Sequence, residues 1–414
     1  MGTVDFTPGH SLVGGLMMAA SLHTLLSKLG MVLGISGFFH TTVKSSLQPS
    51  STPHNIHTTV SRYFTAGLFL GGAILGLRRT SIEAGLRVPI LDPITSTSAA
   101  AGSNSPLFKS LFYGLLVGLG TKIGNGCTSG HFLCGLSRFS LRSLVATATF
   151  FGVAVVTHLS LRDAATSSSL ASKILSGVTS GSGGFTSHLP STYPVPSLLT
   201  LALLQIPVLL YTLLPRVVGT QPSNASKQQK QASQLLQAKL VALGVGLHFS
   251  FALGISGMLR PSKVLGFLCL SPSCFSSGAF DPSLAMVAIG GILPASYAYF
   301  SSVKPKQDRL TAALRSKKSD AASTQDATLQ HSRPELSAVS PEWRLPANPS
   351  QLDLRLVLGA ALFGVGWGAT GLCPGPALVS LISLFTAHAD SKTLVDLAAF
   401  VAAMATGGFV AGQF

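Results

Sequence analysis

The stretch GLGTKIGNGCTSGHFLCGLSRFSLRSLVATATFF, residues 118–151, decides the fold. It leads from the end of one apolar run into the next, and its first 18 residues hold six glycines, which disfavour a regular helix. Between two runs long enough to cross a bilayer, a non-helical segment is stable only where it is buried in protein or lines a hydrated cavity. The stretch therefore predicts two transmembrane helices joined by a Gly-rich re-entrant loop.

The composition of the whole chain is typical of a membrane protein. Of its 414 residues 47% are hydrophobic and 10% are charged, which is too little charge to cover a soluble globule of this size. Apolar runs of about the length that crosses a bilayer lie near residues 9–29, 62–77, 107–121, 142–159, 197–214, 236–258, 283–300, 354–371 and 393–412. We predict an all-α integral membrane protein with about nine transmembrane helices, placed in the plasma membrane, with an organelle membrane as the alternative.

Charge and cysteine content exclude several classes of protein. The formal net charge is +15, but the basic residues are scattered between apolar runs, which argues against nucleic-acid binding. They are interpreted as cytoplasmic loops or as a vestibule that attracts anions. The five cysteines form no CxxC pair and leave at least one thiol free, so neither a metal site nor a cofactor is expected. Cys269 and Cys274 lie close in sequence, and the sequence leaves open whether they pair.

Short Gly motifs recur in order along the chain and predict two related halves. Residues 34–37 (GISG) recur at 254–257, an offset of 220 residues. At an offset of 246 residues, three further positions recur: Gly118, Gly120 and Cys127 match Gly364, Gly366 and Cys373. The predicted organisation is a first repeat at 5–160, a Ser/Thr-rich loop with a connecting helix and linker at 161–235, and a second repeat at 236–414 that contains a flexible basic loop at 303–350.

The loop around Cys127 carries groups that suit an anion. Four backbone N–H groups would surround the thiol as a nest, those of Gly126, Thr128, Ser129 and Gly130. Two of these residues add hydroxyl donors. The alternative for Cys127 is a small packed hydrophobe. His131 could donate to the anion, titrate, or cap the following helix.

The second half holds an equivalent loop in GVGWGATGLCPGPALVSL, residues 364–381. Pro374 and Pro376 flank Gly375, so the helix must break just after Cys373. The break frees backbone donors beside the thiol. We predict that Cys373, Gly375 and the Cys127 loop face one pathway and bind its substrate.

A third motif, SGMLRPSKVLGFL at 256–268, precedes FDPSLAMVAIGG at 280–291. Asp281 followed by a proline predicts a helix N-cap. Arg260 and Lys263 are interpreted as anchors at the lipid headgroups, with attraction of anions as the alternative.

On these residues the chain resembles the YeeE/YedE-type sulfur-transport membrane family. GNGCTSGH at 124–131 is similar to that family's most characteristic segment, and the second half is similar to the companion subunit of small two-subunit bacterial relatives. The resemblance implies a fusion of both subunits, uptake of inorganic sulfur compounds such as thiosulfate, and a soluble sulfur-carrier protein as partner. It places the site at Cys127 and Cys373. Longer members also use a cysteine in an early loop, but the matching residues 34–42 contain none.

The resulting hypothesis is a membrane transporter or channel, rather than an enzyme, that passes an inorganic sulfur anion between the two thiols and the backbone donors of the two loops. A membrane sulfurtransferase or thiol redox sensor that forms a persulfide at Cys127 is the alternative. The sequence shows no clear base and orienting group beside Cys127, which that alternative needs. A pore for another small solute, with the cysteines as packing, is a third interpretation.

Overall fold

The computed structural model describes residues 6–48, 55–92, 106–175, 194–218, 226–316, 332–345 and 352–413. Regular structure in these ranges is helical, apart from one isolated β-bridge between Met31 and Arg344. Eight helical spans in them are long and apolar enough to cross a membrane: Pro8–Leu29, Ile56–Leu77, Leu141–Ala164, Leu198–Val218, Lys227–Ser256, Pro282–Ala313, Leu354–Thr386 and Ser391–Ala411. The predicted all-α, multi-pass membrane fold is confirmed.

The first half contains six helices: α1 (Pro8–Leu29), α2 (Ile35–Leu47), α3 (Ile56–Leu77), α4 (Arg79–Leu86), α5 (Pro106–Ile123) and α6 (Leu141–Leu175). The predicted run near 107–121 is α5, which has 18 residues and packs within the bundle but is not one of the eight spans. Between α5 and α6 the chain forms a π-helical segment (Thr128–Gly135) and a 3₁₀ turn (Leu136–Arg138). The predicted non-helical loop is therefore confined to the few residues before Thr128.

Three short helices connect the halves: α7 (Leu198–Leu204), α8 (Ile206–Thr212) and α9 (Leu214–Val218). The second half then contains α10 (Lys227–Ser256), α11 (Pro261–Leu268), α12 (Pro272–Ser276), α13 (Ala285–Ala298), α14 (Lys304–Ser316), α15 (Leu354–Thr370), α16 (Pro374–Thr386) and α17 (Ser391–Ala411). Its breaks follow local chemistry: Gly257 and Gly371 end α10 and α15 with φ of 81° and 70°, values that favour glycine. The predicted N-cap at Asp281 is confirmed, since its carboxylate accepts the N–H of Ser283 at 2.8 Å.

Parts of the predicted linkers are ordered. Residues 161–175 continue α6 and residues 227–234 begin α10, which a capping box at Ser226 starts. Within the predicted flexible loop, residues 332–345 are bound to the end of α1: Leu336 and Arg344 donate backbone N–H groups to Lys28 and Gly30 at 2.9 and 2.7 Å. Composition did not predict this ordered segment, because the residues that bind it are distant in sequence. Residues 304–316 of the same predicted loop form α14, and its stretches at 317–331 and 346–350 lie outside the described residues.

The contacts of the helix ends define two faces of the bundle. We call one the Arg344 face, because the Arg344 segment covers the C-terminal end of α1 there. On this face Arg142, at the start of α6, pairs with Asp353, at the start of α15, at 3.3 Å. An ion pair between two helix starts suits a membrane interface.

We call the opposite end the Cys269 face. The end of α6 reaches it, because Arg162 donates to the Cys269 sulfur at 2.8 Å. The start of α1 lies there too, since Thr7 donates its N–H to Ser283 at 2.9 Å. Cys269 and Cys274 form a disulfide on this face, which settles the pairing that the sequence left open.

Glycines let the helices cross backbone to backbone. A Cβ built on Gly359 of α15 would overlap the amide nitrogen of Gly124, and one on Gly120 of α5 would overlap the amide nitrogen of Phe363. α5 and α15 therefore run antiparallel in direct contact, as α1 and α10 do where Gly14 lies against Ser256. Small residues at such crossings are the usual means of packing membrane helices.

Gly359→Leu is expected to destabilise the protein by about 1–3 kcal/mol, because a side chain there forces α5 and α15 apart. Gly152→Leu is the matched control, since a Cβ at Gly152 meets no atom within 4 Å. Thermal unfolding in detergent measures the difference. Equal melting temperatures for the two variants would contradict the close crossing.

Candidate functional site

Cys127 lies at the break between α5 and the π-helical segment. The chain turns after Ile123, with the N–H of Gly126 donating to the carbonyl of Thr121 at 2.9 Å and Asn125 at a φ of 55°. Cys127 then adopts extended backbone and its carbonyl accepts the N–H of His131 at 2.9 Å, so Cys127 caps the segment. Its side chain is buried.

Cys373 occupies the corresponding break in the second half. It follows Gly371 and directly precedes Pro374, the first residue of α16. The backbone N–H of Gly375 faces its sulfur. Cys373 is buried, and like Cys127 it forms the N-cap of a short helix. The predicted break is present, but it lies at residues 371–373, and a helix begins at Pro374 where the break was expected.

The two breaks meet inside the bundle. The hydroxyl of Thr128 donates to the sulfur of Cys373 at 3.6 Å, and the sulfur of Cys127 lies 3.3 Å from the hydroxyl of Ser129. Residues that are 245 positions apart in sequence are thus neighbours. The loop residues predicted around each thiol form a single cluster.

The start of α2 completes this cluster, and the sequence did not assign it a site role. The N–H of Ile35 donates to the hydroxyl of Ser129 at 3.1 Å. On the other side, a Cβ on Gly375 would lie 2.6 Å from the Ile35 side chain, and one on Gly130 would lie 3.9 Å from the Cα of Gly34. Two signals in the sequence pointed to this segment: the repeat of GISG at 34–37, and its match to the early loop in which longer members of the resembled family carry a cysteine.

Three helical segments therefore begin at one point, at Ile35, Thr128 and Pro374. The first N–H groups of a helix have no partner within it, and the helix dipole places partial positive charge there. Two thiols and two hydroxyls lie beside these helix ends. Together they form a cluster of hydrogen-bond donors, an environment that favours the binding of an anion.

The chain is similar to one protein family and to several known proteins. Residues 237–330 and 326–413 match a family of unknown function, DUF6691. A probable transporter of Xylella fastidiosa strain Temecula1 is 36% identical over 167 residues, which cover 40% of this chain and 83% of the relative. A second probable transporter of that strain is 35% identical over 152 residues, or 36% of this chain and 93% of the relative.

The chain belongs to the same family as these two probable transporters. A membrane transporter agrees with the eight spans in the described residues. No solved structure matches the chain. Within the described residues, no three His, Cys, Asp or Glu side chains are grouped to hold a metal ion.

In this transporter His131 holds the Cys127 break together. One ring nitrogen contacts the carbonyl of Gly124 at 3.1 Å and the other the hydroxyl of Ser143 at 3.3 Å. Gly126 leaves room for the ring, because a Cβ there would lie 2.7 Å from it. Since both nitrogens contact the protein, the geometry favours a positioning role over the direct contact with substrate that the sequence also allowed.

The remaining cysteine and the nearby lysine lie off the cluster. Cys134 is buried and packs beside Arg138, whose guanidinium donates to its carbonyl at 2.8 Å, as expected for a packing residue. Lys122 is exposed, and its side chain lies against Gly412 at the end of α17.

Lys263 is not a headgroup anchor, and that interpretation was wrong. Its side chain is 2% exposed and pairs with Asp281, itself 1% exposed, at 3.3 Å, and it donates to Thr7. Arg260 pairs with Asp92 at 3.0 Å. The sequence did not predict these pairs because each joins segments that lie apart in the chain.

Proposed function

We propose that this transporter carries an inorganic sulfur anion, most directly thiosulfate, past Cys127 and Cys373. The observation that carries the proposal is the contact between Thr128 and the Cys373 sulfur, which joins both thiol-bearing breaks into one donor cluster at the helix starts. The resemblance of GNGCTSGH and of the Cys373 loop to the YeeE/YedE-type family supports the choice of substrate. The same resemblance supports a soluble sulfur-carrier protein as the acceptor.

The chemistry of thiosulfate fits such a cluster. The ion carries two negative charges, and its terminal sulfur is soft and accepts hydrogen bonds weakly. A neutral thiol donates to that sulfur without adding charge, while hydroxyl and backbone N–H groups replace water at the oxygens. Several weak contacts in series let the ion leave as well as enter. No covalent step is required.

The packing supports two halves of opposite orientation. α1 packs on α13 and α10 on α3, while α5 packs on α17 and α15 on α6. If the two halves are exchanged, the contact of α1 with α13 becomes the contact of α10 with α3, and that of α5 with α17 becomes that of α15 with α6. The same exchange swaps α1 with α10 and α5 with α15, and the helices in each of these two pairs run antiparallel. Inverted repeats place the substrate at their interface near the midplane. The Cys127 break then enters from the Arg344 face, and the Cys373 break from the Cys269 face.

The direction of transport follows from two independent features. The Cys269–Cys274 disulfide belongs in an oxidising compartment. Residues 303–350, which follow α13 on the Arg344 face, hold eight Lys or Arg against five Asp or Glu, and such loops stay cytoplasmic. We infer uptake from the Cys269 face to the Arg344 face.

Protection of the thiols tests the proposed substrate. Thiosulfate is expected to slow labelling of Cys127 and Cys373 by N-ethylmaleimide about tenfold, measured by mass spectrometry, because the bound ion covers both sulfurs. Sulfate, of equal charge but without the soft sulfur, is expected to protect less, and Cys134 serves as the internal control. Equal labelling with and without thiosulfate would contradict the proposal. A mass gain of one sulfur atom on Cys127 would instead establish the persulfide alternative.

A further inference from the structure

Two buried polar atoms on α2 lack a hydrogen-bond partner among the described residues. They are the hydroxyl oxygen of Ser36 and Nδ1 of His40. The side chains are 1% and 7% exposed. A buried polar atom without a partner costs about 1–3 kcal/mol, so such atoms in a native protein usually serve a ligand or an ordered water.

The two residues follow the thiol cluster along α2. Ser36 directly follows Ile35, whose N–H binds Ser129 beside Cys127. His40 is one helical turn further, on the same side of α2, because residues four apart in a helix are neighbours. It packs against Thr121 near the end of α5 and Gly408 near the end of α17, both toward the Arg344 face. From the thiol cluster, Ser36 and then His40 therefore lie progressively closer to the Arg344 face.

The hydrogen bonds of Thr121 fix the chemistry of His40. The Thr121 hydroxyl donates to the carbonyl of Val117 at 2.8 Å, so its oxygen accepts from Nε2 of His40 at 3.2 Å. Neutral His40 then carries its proton on Nε2 and offers Nδ1 as an acceptor. Burial lowers the pKa of His40, and the nearby charge of Lys122 lowers this pKa further, so the ring stays neutral. The partner of Nδ1 must consequently be a donor.

We propose that Ser36 and His40 form a second station for the transported anion, between the thiol cluster and the Arg344 face. Ser36 donates its hydroxyl to the anion, and Nδ1 of His40 accepts from a water molecule that hydrates it. The station restores part of the hydration shell that the ion gave up at the thiols. This inference rests on the proposed function and extends the path toward the cytoplasm.

Four variants separate a ligand role from a structural one. Gln at position 40 keeps a donor for Thr121 but has no group at the place of Nδ1, whereas Asn keeps a polar group there and loses the contact with Thr121. We expect His40→Gln to lower thiosulfate uptake about tenfold and His40→Asn to retain more of it. Ser36→Ala should likewise lose uptake and Ser36→Thr retain it. Ser250→Ala is the control, since this buried hydroxyl is already bonded to Leu68 at 2.7 Å.

Uptake is measured in proteoliposomes with the full chain, on variants that elute as folded protein. Wild-type uptake that is lost in Cys127→Ala establishes the proposed function before the station is judged. Unchanged uptake in Ser36→Ala and His40→Gln would then overturn the station alone. Greater loss in His40→Asn than in His40→Gln would also overturn it, because that order identifies the Thr121 contact as the role of His40.

Discussion

Cys127→Ala is expected to abolish thiosulfate uptake and leave the fold intact. The thiol lies 3.3 Å from Ser129 and caps the segment where three helix starts meet, so its loss removes the donor that we propose for the soft sulfur. Cys373→Ala should have the same effect, since Thr128 and Gly375 aim at that sulfur. Uptake into proteoliposomes is the measurement.

Cys134→Ala is the matched control for both variants. Cys134 is a buried thiol in the same segment, but its surroundings are packing contacts. A path through the two site thiols requires that this variant keep uptake near the wild-type rate. Normal uptake in both Cys127→Ala and Cys373→Ala would show that the cysteines only fill space.

Lys263→Met is expected to destabilise the protein by roughly 3–5 kcal/mol, because it leaves the Asp281 carboxylate buried without its counter-charge. Asp281 also caps the 3₁₀ turn before α13, so the loss spreads to the start of that helix. The double variant with Asp281→Asn should recover part of the stability, since the amide still caps but carries no charge. Thermal unfolding in detergent measures both.

Lys304→Met provides the control for that pair. Lys304 and Asp308 form an ion pair at 3.0 Å whose side chains are 45% and 63% exposed. Exposed pairs contribute less than about 1 kcal/mol, so this variant should melt close to the wild type. If Lys263→Met and Lys304→Met had equal melting temperatures, the buried pair would not contribute to stability.

Features that depend on local sequence were predictable. Long apolar runs predicted the spans, Pro374 marked a helix boundary beside Cys373, and Asp281 with the following proline predicted a helix cap. Each of these effects acts over a few residues, so the sequence contains it directly.

Features that depend on tertiary contacts were not predictable. Lys263 resembled a headgroup anchor because nothing nearby in sequence shows that Asp281 folds back onto it. The basic loop resembled a free linker because its Arg344 segment binds the distant end of α1. At the site, the two thiols could be predicted from the sequence. The contact of Ile35 with Ser129 could not, because it forms only when the helices pack together.

Uptake of radiolabelled thiosulfate by proteoliposomes that hold the wild-type chain tests the central claim most directly. The expected result is uptake above that of empty vesicles, competed by unlabelled thiosulfate more strongly than by sulfate and blocked by N-ethylmaleimide. Uptake no greater than that of empty vesicles, from protein shown to be folded, would contradict the claim.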